Sequence, residues 1–242
     1  MGTITMVASG KDGVGKSTLS VFLGAAFALT GEKVLVVELD NAFRSIDIIS
    51  GVYGKLIYDI NDVLSGKIEP HKAIAESPVS ENLSVMSAPF NPSLLPVDDF
   101  VSLTTNLSEA YDQVIIDAAS MPGAIYCAAS CAMRALLVTT ADPVGIRYSR
   151  QIVDKLEEYS VSNIRLVINR VVSPRISAGI VPNLDYVIDN IGVQLIGVIP
   201  ELTDIALASS GVTSLAKNSV PMRIFSNIAE RMRGNDVPLL VF

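Results

Sequence analysis

Nine consecutive residues, Gly10-Lys11-Asp12-Gly13-Val14-Gly15-Lys16-Ser17-Thr18, constrain this chain more than any other stretch. They fit G-x-x-x-x-G-K-[ST], a pattern that binds phosphate only where a strand enters it and a helix leaves it. Both flanks comply. Thr3 to Ala8 (TITMVA) reads as a short buried strand, and the residues after the loop, through Leu29, read as an apolar helix. With average residue usage the four fixed positions arise by chance in roughly one chain in a hundred of this length. Gly10, Gly13 and Gly15 let the backbone turn tightly, so that its N–H groups, those of Val14 and Thr18 included, point at phosphate oxygens. The helix N-terminus adds positive partial charge there. Lys16 reaches the β- and γ-phosphates, and the Ser17 hydroxyl is a Mg²⁺ ligand.

Composition fits what that loop demands. The chain has 242 residues, enough for one domain with a substantial core. Half of them are hydrophobic, which suits a parallel sheet buried on both faces. Apolar runs alternate with helical patterns throughout, the signature of an α/β fold: a mostly parallel twisted sheet with helices on both faces. Expected strands are Thr3–Ala8, Lys33–Val37, Leu83–Met86, Gln113–Ile116, Ala135–Thr139, Arg165–Ile168 and Gln194–Val198. Gly31 is expected to close the first helix, and the prolines between Pro89 and Pro96 to mark a surface loop. With no repeat or linker, residues 1–242 read as a single domain. No apolar run is long enough to span a bilayer and no secretory signal precedes the first strand. Two cysteines fit a reducing cytoplasm. A net charge of -7 disfavours non-specific DNA binding.

Other candidates fall at strand ends, where ligands bind in open α/β sheets. The second strand ends in Glu38-Leu39-Asp40, and Asp40 is placed to orient a water attacking the γ-phosphate. Within the following Asn41-Ala42-Phe43-Arg44-Ser45-Ile46-Asp47, Asp47 reads as a helix cap. Tyr111 to Ala119 (YDQVIIDAA) ends a strand on Asp117, a Mg²⁺-holding carboxylate. Val167-Ile168-Asn169-Arg170 and Gly197-Val198-Ile199-Pro200-Glu201 supply two more rim loops; the Asn169 amide pairs with an adenine edge, or either loop is simple turn chemistry. Cys127 and Cys131 share a helix face and read as small core residues, with metal ligation across a dimer the alternative. His71 reads as a surface residue, and the helix Met222–Arg233 as an amphipathic helix packed on the domain.

With these landmarks in order, nearly the whole chain resembles the MinD/ParA family of P-loop ATPases, its MinD branch most closely. The family loop K-G-G-x-G-K-[ST] appears here as KDGVGKS, with Lys11 at the signature lysine. The stretch D-x-D-x-G-x-R-N-x-D corresponds to Glu38–Asp47 and keeps Asp40, Arg44 and Asp47. IYDINDVLSG at Ile57–Gly66, LVINRV, GVIPE and IAERMRGNDVPLLVF also match in order and spacing.

The resemblance implies an ATPase switch in septum-site positioning, slow and stimulated by a protein partner, with ATP/ADP and Mg²⁺ as cofactors. Two copies sandwich two ATP molecules, and Lys11 reaches across to the second copy's phosphates. Lys16 and Asp40 complete the catalytic set, Ser17 and Asp117 hold Mg²⁺, and Asn169 and Pro200 hold adenine. The implied location is cytoplasmic, with peripheral membrane association through a C-terminal helix that would begin where this chain ends. Three readings stay open beside it: a ParA-type partition or flagellum- or pilus-positioning ATPase, a hydrolysis-impaired nucleotide-binding adaptor, and a metallocentre-insertion ATPase.

Four positions depart from the family pattern. Asp12 replaces a glycine of the loop, and DAASM (Asp117–Met121) replaces the D-x-P-A-G switch. Glu38 replaces an aspartate, and Ile146-Arg147-Tyr148 replaces V-R-D. Asp12 is expected to repel phosphate and weaken the ATP sandwich unless a cation compensates.

Overall fold

Residues Ile4 to Ala8, Thr5 included, are buried on both sides of the sheet, the setting in which a mostly apolar run forms a strand. A computed structural model describes residues 1–40, 44–89 and 95–240. In chain order its elements are β1 (Thr3–Ala8), α1 (Lys16–Ala28), β2 (Val34–Glu38), α2 (Ile46–Ile49), α3 (Ile60–Leu64), β3 (Ile74–Glu76) and β4 (Leu83–Met86). There follow α4 (Val97–Ala110), β5 (Gln113–Asp117), α5 (Pro122–Ala129), β6 (Arg134–Thr140), α6 (Pro143–Glu158) and β7 (Ile164–Val171). The last are α7 (Ser173–Ser177), α8 (Leu184–Ile191), β8 (Gln194–Pro200), α9 (Thr203–Ser209) and α10 (Val220–Met232).

The eight strands form one sheet in the order β3-β4-β2-β5-β1-β6-β7-β8. Every described pairing is parallel except β3 with β4. All seven expected strands are present; β7 is longer by four residues, β6 and β8 by two and β5 by one, and β2 is displaced by one. The eighth, β3, has three residues after the turn Pro70–Ala73, too few to carry a period of its own. Alternation sorts the side chains. Ile4, Met6, Leu35, Val37 and Ile116 pack on one face with α4, α5, α6 and α8. Val7, Val34, Val36, Ile115 and Leu136 pack on the other with α1 and α10. Phe22 of α1 and Phe225 of α10 meet there with ring centroids 5.5 Å apart.

Small differences from the sequence reading have local causes. Leu29, not Gly31, is the C-cap of α1. Gly31 follows with φ +93°, its N–H donating to the Ala28 carbonyl at 3.0 Å. Ser45, not Asp47, is the N-cap of α2. The Asp47 carboxylate instead accepts from the Ile48 N–H inside the first turn. Residues 41–43 of the stretch after Asp40, and 90–94 of the proline-marked loop, lie outside the described residues. The last helix runs from Val220 to Met232 and buries Ile224, Phe225 and Ile228, so its apolar face is committed to the core. Among the described residues no helix is long and apolar enough to cross a membrane.

Candidate nucleotide site

The topology gathers the candidates on one rim. β1 lies centrally between β5 and β6, so the loop Gly10–Gly15 leaves the carboxyl edge of the sheet. Asp117 ends β5 beside it and Glu38 ends β2, the two acids being register partners. Gly13 and Gly15 adopt φ of +74° and +98°, conformations that favour glycine. Gly10 is needed for a different reason: a Cβ there would lie 2.5 Å from the Tyr148 backbone. Gly15 is the N-cap of α1, which begins at Lys16. A cleft of about 560 Å³ opens above it, lined among others by Asp12, Gly13, Lys16, Ser17, Asp40 and Arg170. A second cleft of about 460 Å³ shares Gly15, Thr18, Arg170 and Ser209 with it and adds Asn169, Pro200 and Glu201. Phosphate candidates line the first and base candidates the second.

Asp117 is fully buried. Its Oδ2 accepts from the Ser17 hydroxyl at 2.6 Å and its Oδ1 from Ser20 at 3.2 Å. Burial pushes its carboxyl up to about 6, against the lowering hydrogen bond from Ser17 and the charge of Lys16, with Asp40 adding to the rise. A hydroxyl and a carboxylate in contact, in surroundings that penalise the carboxylate's charge, are the hard-oxygen donor set that Mg²⁺ takes. The pair therefore fits the ion. Asp40 is buried and lines the same cleft.

Asn169 is aimed by a register shift between β7 and β8, where Arg170 adopts φ +55°. Its Nδ2 donates to the Val14 carbonyl at 2.7 Å and its Oδ1 accepts from the Arg170 N–H at 2.9 Å. Asn169 thus braces the loop from the base side. Thr18 donates to the Ser209 hydroxyl at 3.1 Å, tying the loop to α9.

Lys11 does not line its own phosphate cleft. Its ammonium donates to Asp142 Oδ2 at 2.7 Å, both side chains being one-third exposed. Asp142 is the N-cap of α6, where its Oδ1 accepts from the Gly145 N–H at 2.8 Å. Burial pushes that carboxyl up, but hydrogen bonds from Lys11, Thr140 and Gly145 outweigh it and hold it below the usual range. Asp142 was not among the expected site residues. Its one local signal is Asp-Pro at a helix start, which announces a cap and says nothing of a lysine 131 positions away. Ser209 also lines the rim without a signal in the sequence, while Ser120 and Arg170 stood within stretches noted there but had no role assigned.

Asp12 is compensated, though not by Lys11. Ser120 donates to its Oδ1 at 2.7 Å, and the Lys16 ammonium lies 3.6 Å from the same oxygen.

Glu38 is wholly buried, and its Oε1 accepts from the N–H groups of Ser45 and Ile46 at 2.8 and 3.1 Å. Burial pushes its carboxyl from 4.5 up to about 7, the two N–H groups opposing and the Asp117 charge adding. Between those pH values the folded form keeps a proton that the unfolded chain has lost, so stability falls as pH rises through the window. Glu38→Gln is therefore expected to raise stability by roughly 1–3 kcal/mol at about pH 8 and to have little effect near pH 4.5, read by thermal melts at both.

Cys127 is buried and Cys131 half-buried, as small core residues. Burial pushes the Cys127 thiol up to about 12 and raises Cys131 as well, which disfavours the thiolates that metals require. Among the described residues no three His, Cys, Asp or Glu side chains cluster as a metal site. His71 is exposed.

A parallel sheet whose central strand runs through a glycine-rich loop into a helix, with a hydroxyl–carboxylate pair below the loop lysine, defines a P-loop nucleotide-binding protein. Comparison with known proteins narrows the class. The model for the CobQ/CobB/MinD/ParA nucleotide binding domain matches residues 5–214. The septum site-determining protein MinD of Thermotoga maritima is 32% identical over 246 residues, covering 99% of this chain and 91% of the relative. That of Synechocystis sp. is 31% identical, covering 100% and 93%. Among solved structures, the MinC:MinD cell division protein complex of Aquifex aeolicus superposes with a TM-score of 0.91 at 25% identity, covering 99% of each chain. The chain belongs to the MinD/ParA family of P-loop ATPases.

Proposed function

We propose that this protein is an ATP-driven dimerisation switch that helps to place the division septum. Lys16 and the loop N–H groups bind the phosphates. Ser17 and Asp117 hold Mg²⁺, which supplies charge neutralisation on the phosphate oxygens. Asp40 orients the attacking water, while Asn169 and the Pro200 loop cradle the base. Lys11 of a second copy then neutralises charge developing on the transferred phosphate. Contacts that exist only with ATP bound are the differential energy that favours the dimer, and hydrolysis releases it. Turnover is slow until a protein partner engages the ATP-bound dimer; the MinC:MinD complex of Aquifex aeolicus supports the existence of a protein partner.

The observation that carries the proposal is the placement of Lys11: a loop lysine outside its own phosphate cleft is available to another copy's. The partition-type reading finds less support in a chain of net charge -7. The metallocentre reading finds less support in Cys127, whose side chain is packed in the core. Sedimentation of the parent in Mg·ATP and in Mg·ADP, alongside ATP turnover, tests the proposal. It requires a dimer in ATP, a monomer in ADP, and neither dimer nor turnover in Lys16→Ala. The same oligomeric state in both nucleotides would sink it.

A further inference from the structure

Two departures from the family motifs, Asp12 in the loop and Ser120 in the segment after β5, are bonded to each other across 108 positions of sequence. Ser120 is a relay. Its hydroxyl donates to Asp12 at 2.7 Å and accepts from the Lys16 ammonium at 3.3 Å. Lys16 is nearly buried, at 6% exposure, whereas the Asp12 side chain is 59% exposed. An ammonium has three protons, and two of the groups around this one are Ser120 and Asp12. A polyphosphate entering the cleft needs the same ammonium and brings negative charge against the Asp12 carboxylate, which lines that cleft.

We infer that Asp12 and Ser120 form a latch that competes with nucleotide phosphate for Lys16, and so ties the phosphate site to the start of α5. This rests on the nucleotide-switch reading above and gives it a chain-specific coupling element. With the latch closed, the Asp12–Ser120 bond anchors Ala118 to Met121 against the loop. When phosphate takes Lys16, Ser120 loses its donor and Asp12 faces a like charge, so the anchor weakens. The segment released leads directly into α5, whose N-cap Met121 is 59% exposed beside a cleft lined by Leu39, Val97, Ala124 and Tyr126. Asp12 and Ser120 are positioning residues: they act on the nucleotide through Lys16.

A double-mutant cycle on the full chain tests the latch, with Mg·ADP and Mg·ATP affinities measured by calorimetry and backbone hydrogen exchange read over residues 118–123. Asp12→Ala is expected to tighten nucleotide binding about 3- to 10-fold, and Ser120→Ala about 2- to 5-fold. The double variant is expected to bind no more tightly than Asp12→Ala alone. Without nucleotide, exchange should quicken equally in both single variants. Asp12→Asn retains an oxygen that accepts from Ser120 but carries no charge, so it should tighten binding while leaving exchange as in the parent, a split that a merely structural role would not give.

Effects that multiply, or variants that bind no more tightly than the parent, would overturn the latch. If the parent itself binds neither nucleotide, the switch reading falls and takes the latch with it. If it binds both and the cycle is additive, only the latch falls.

Discussion

Lys11→Ala is expected to lower ATP turnover by about 10²–10⁴-fold while leaving nucleotide binding by the single chain nearly unchanged. The ammonium lies outside its own phosphate cleft and pairs with Asp142, so its loss takes nothing from the groups that grip the phosphates. On the proposed mechanism, what it removes is a positive charge supplied to another copy at the transition state. The pair with Asp142 is one-third exposed on each side, and exposed ion pairs contribute little to stability, so the variant's thermal midpoint should move little. Single-turnover kinetics beside equilibrium nucleotide binding separate the two effects. Equal losses in binding and turnover would place Lys11 in its own site instead.

The second large effect is expected at Asp117. Asp117→Asn should cut turnover by about 10²–10³-fold, because the amide is a poor Mg²⁺ ligand and leaves phosphate charge uncompensated. The same variant should be more stable than the parent without nucleotide, and more so at about pH 8 than near pH 4. Burial lifts the Asp117 carboxyl from 3.8 to about 6, so the folded parent holds a proton that the unfolded chain has given up across that window. Its stability therefore declines as pH rises through the window, a decline that the uncharged amide lacks. Activity and stability move in opposite directions because the charge that the chemistry uses is one that the fold holds at a cost. Thermal melts at both pH values, with turnover at the higher one, check the pair of expectations. A variant less stable than the parent at both pH values would mean that the hydroxyls of Ser17 and Ser20 depend on the carboxylate more than its burial costs.

What the sequence made legible follows from where the physical signal is local. The strand before the loop, the glycines and the lysine lie within a few residues of one another, and each answers to a backbone or charge requirement that can be stated without the fold. The long apolar runs that became β2, β5, β6 and β7 were equally plain, since strands buried on both faces need them. The three-residue β3 was not, because its existence depends on β4 lying beside it. At the site, Asp117 and Asp40 were legible as acids at strand ends. The pairings Lys11–Asp142 and Asp12–Ser120 were not, since they join residues more than a hundred positions apart and neither partner has a local mark of the other. Asp12 illustrates the gap: read by charge alone it is a repulsive intrusion into a phosphate loop, and only the folded rim supplies the hydroxyl and ammonium that face it.

The central claim is that Lys11 serves a second copy, and one mixing experiment addresses it directly. Lys11→Ala and Asp40→Ala are each expected to be nearly inactive alone. In a mixed dimer, one of the two sites combines an intact Asp40 in the nucleotide's own chain with an intact Lys11 from the other copy. An equimolar mixture should therefore recover about one quarter of the parent's turnover, since about half the dimers are mixed and one site in each is complete. A mixture no more active than its two components measured apart, under conditions where both dimerise, would contradict the account and return Lys11 to its own chain's site.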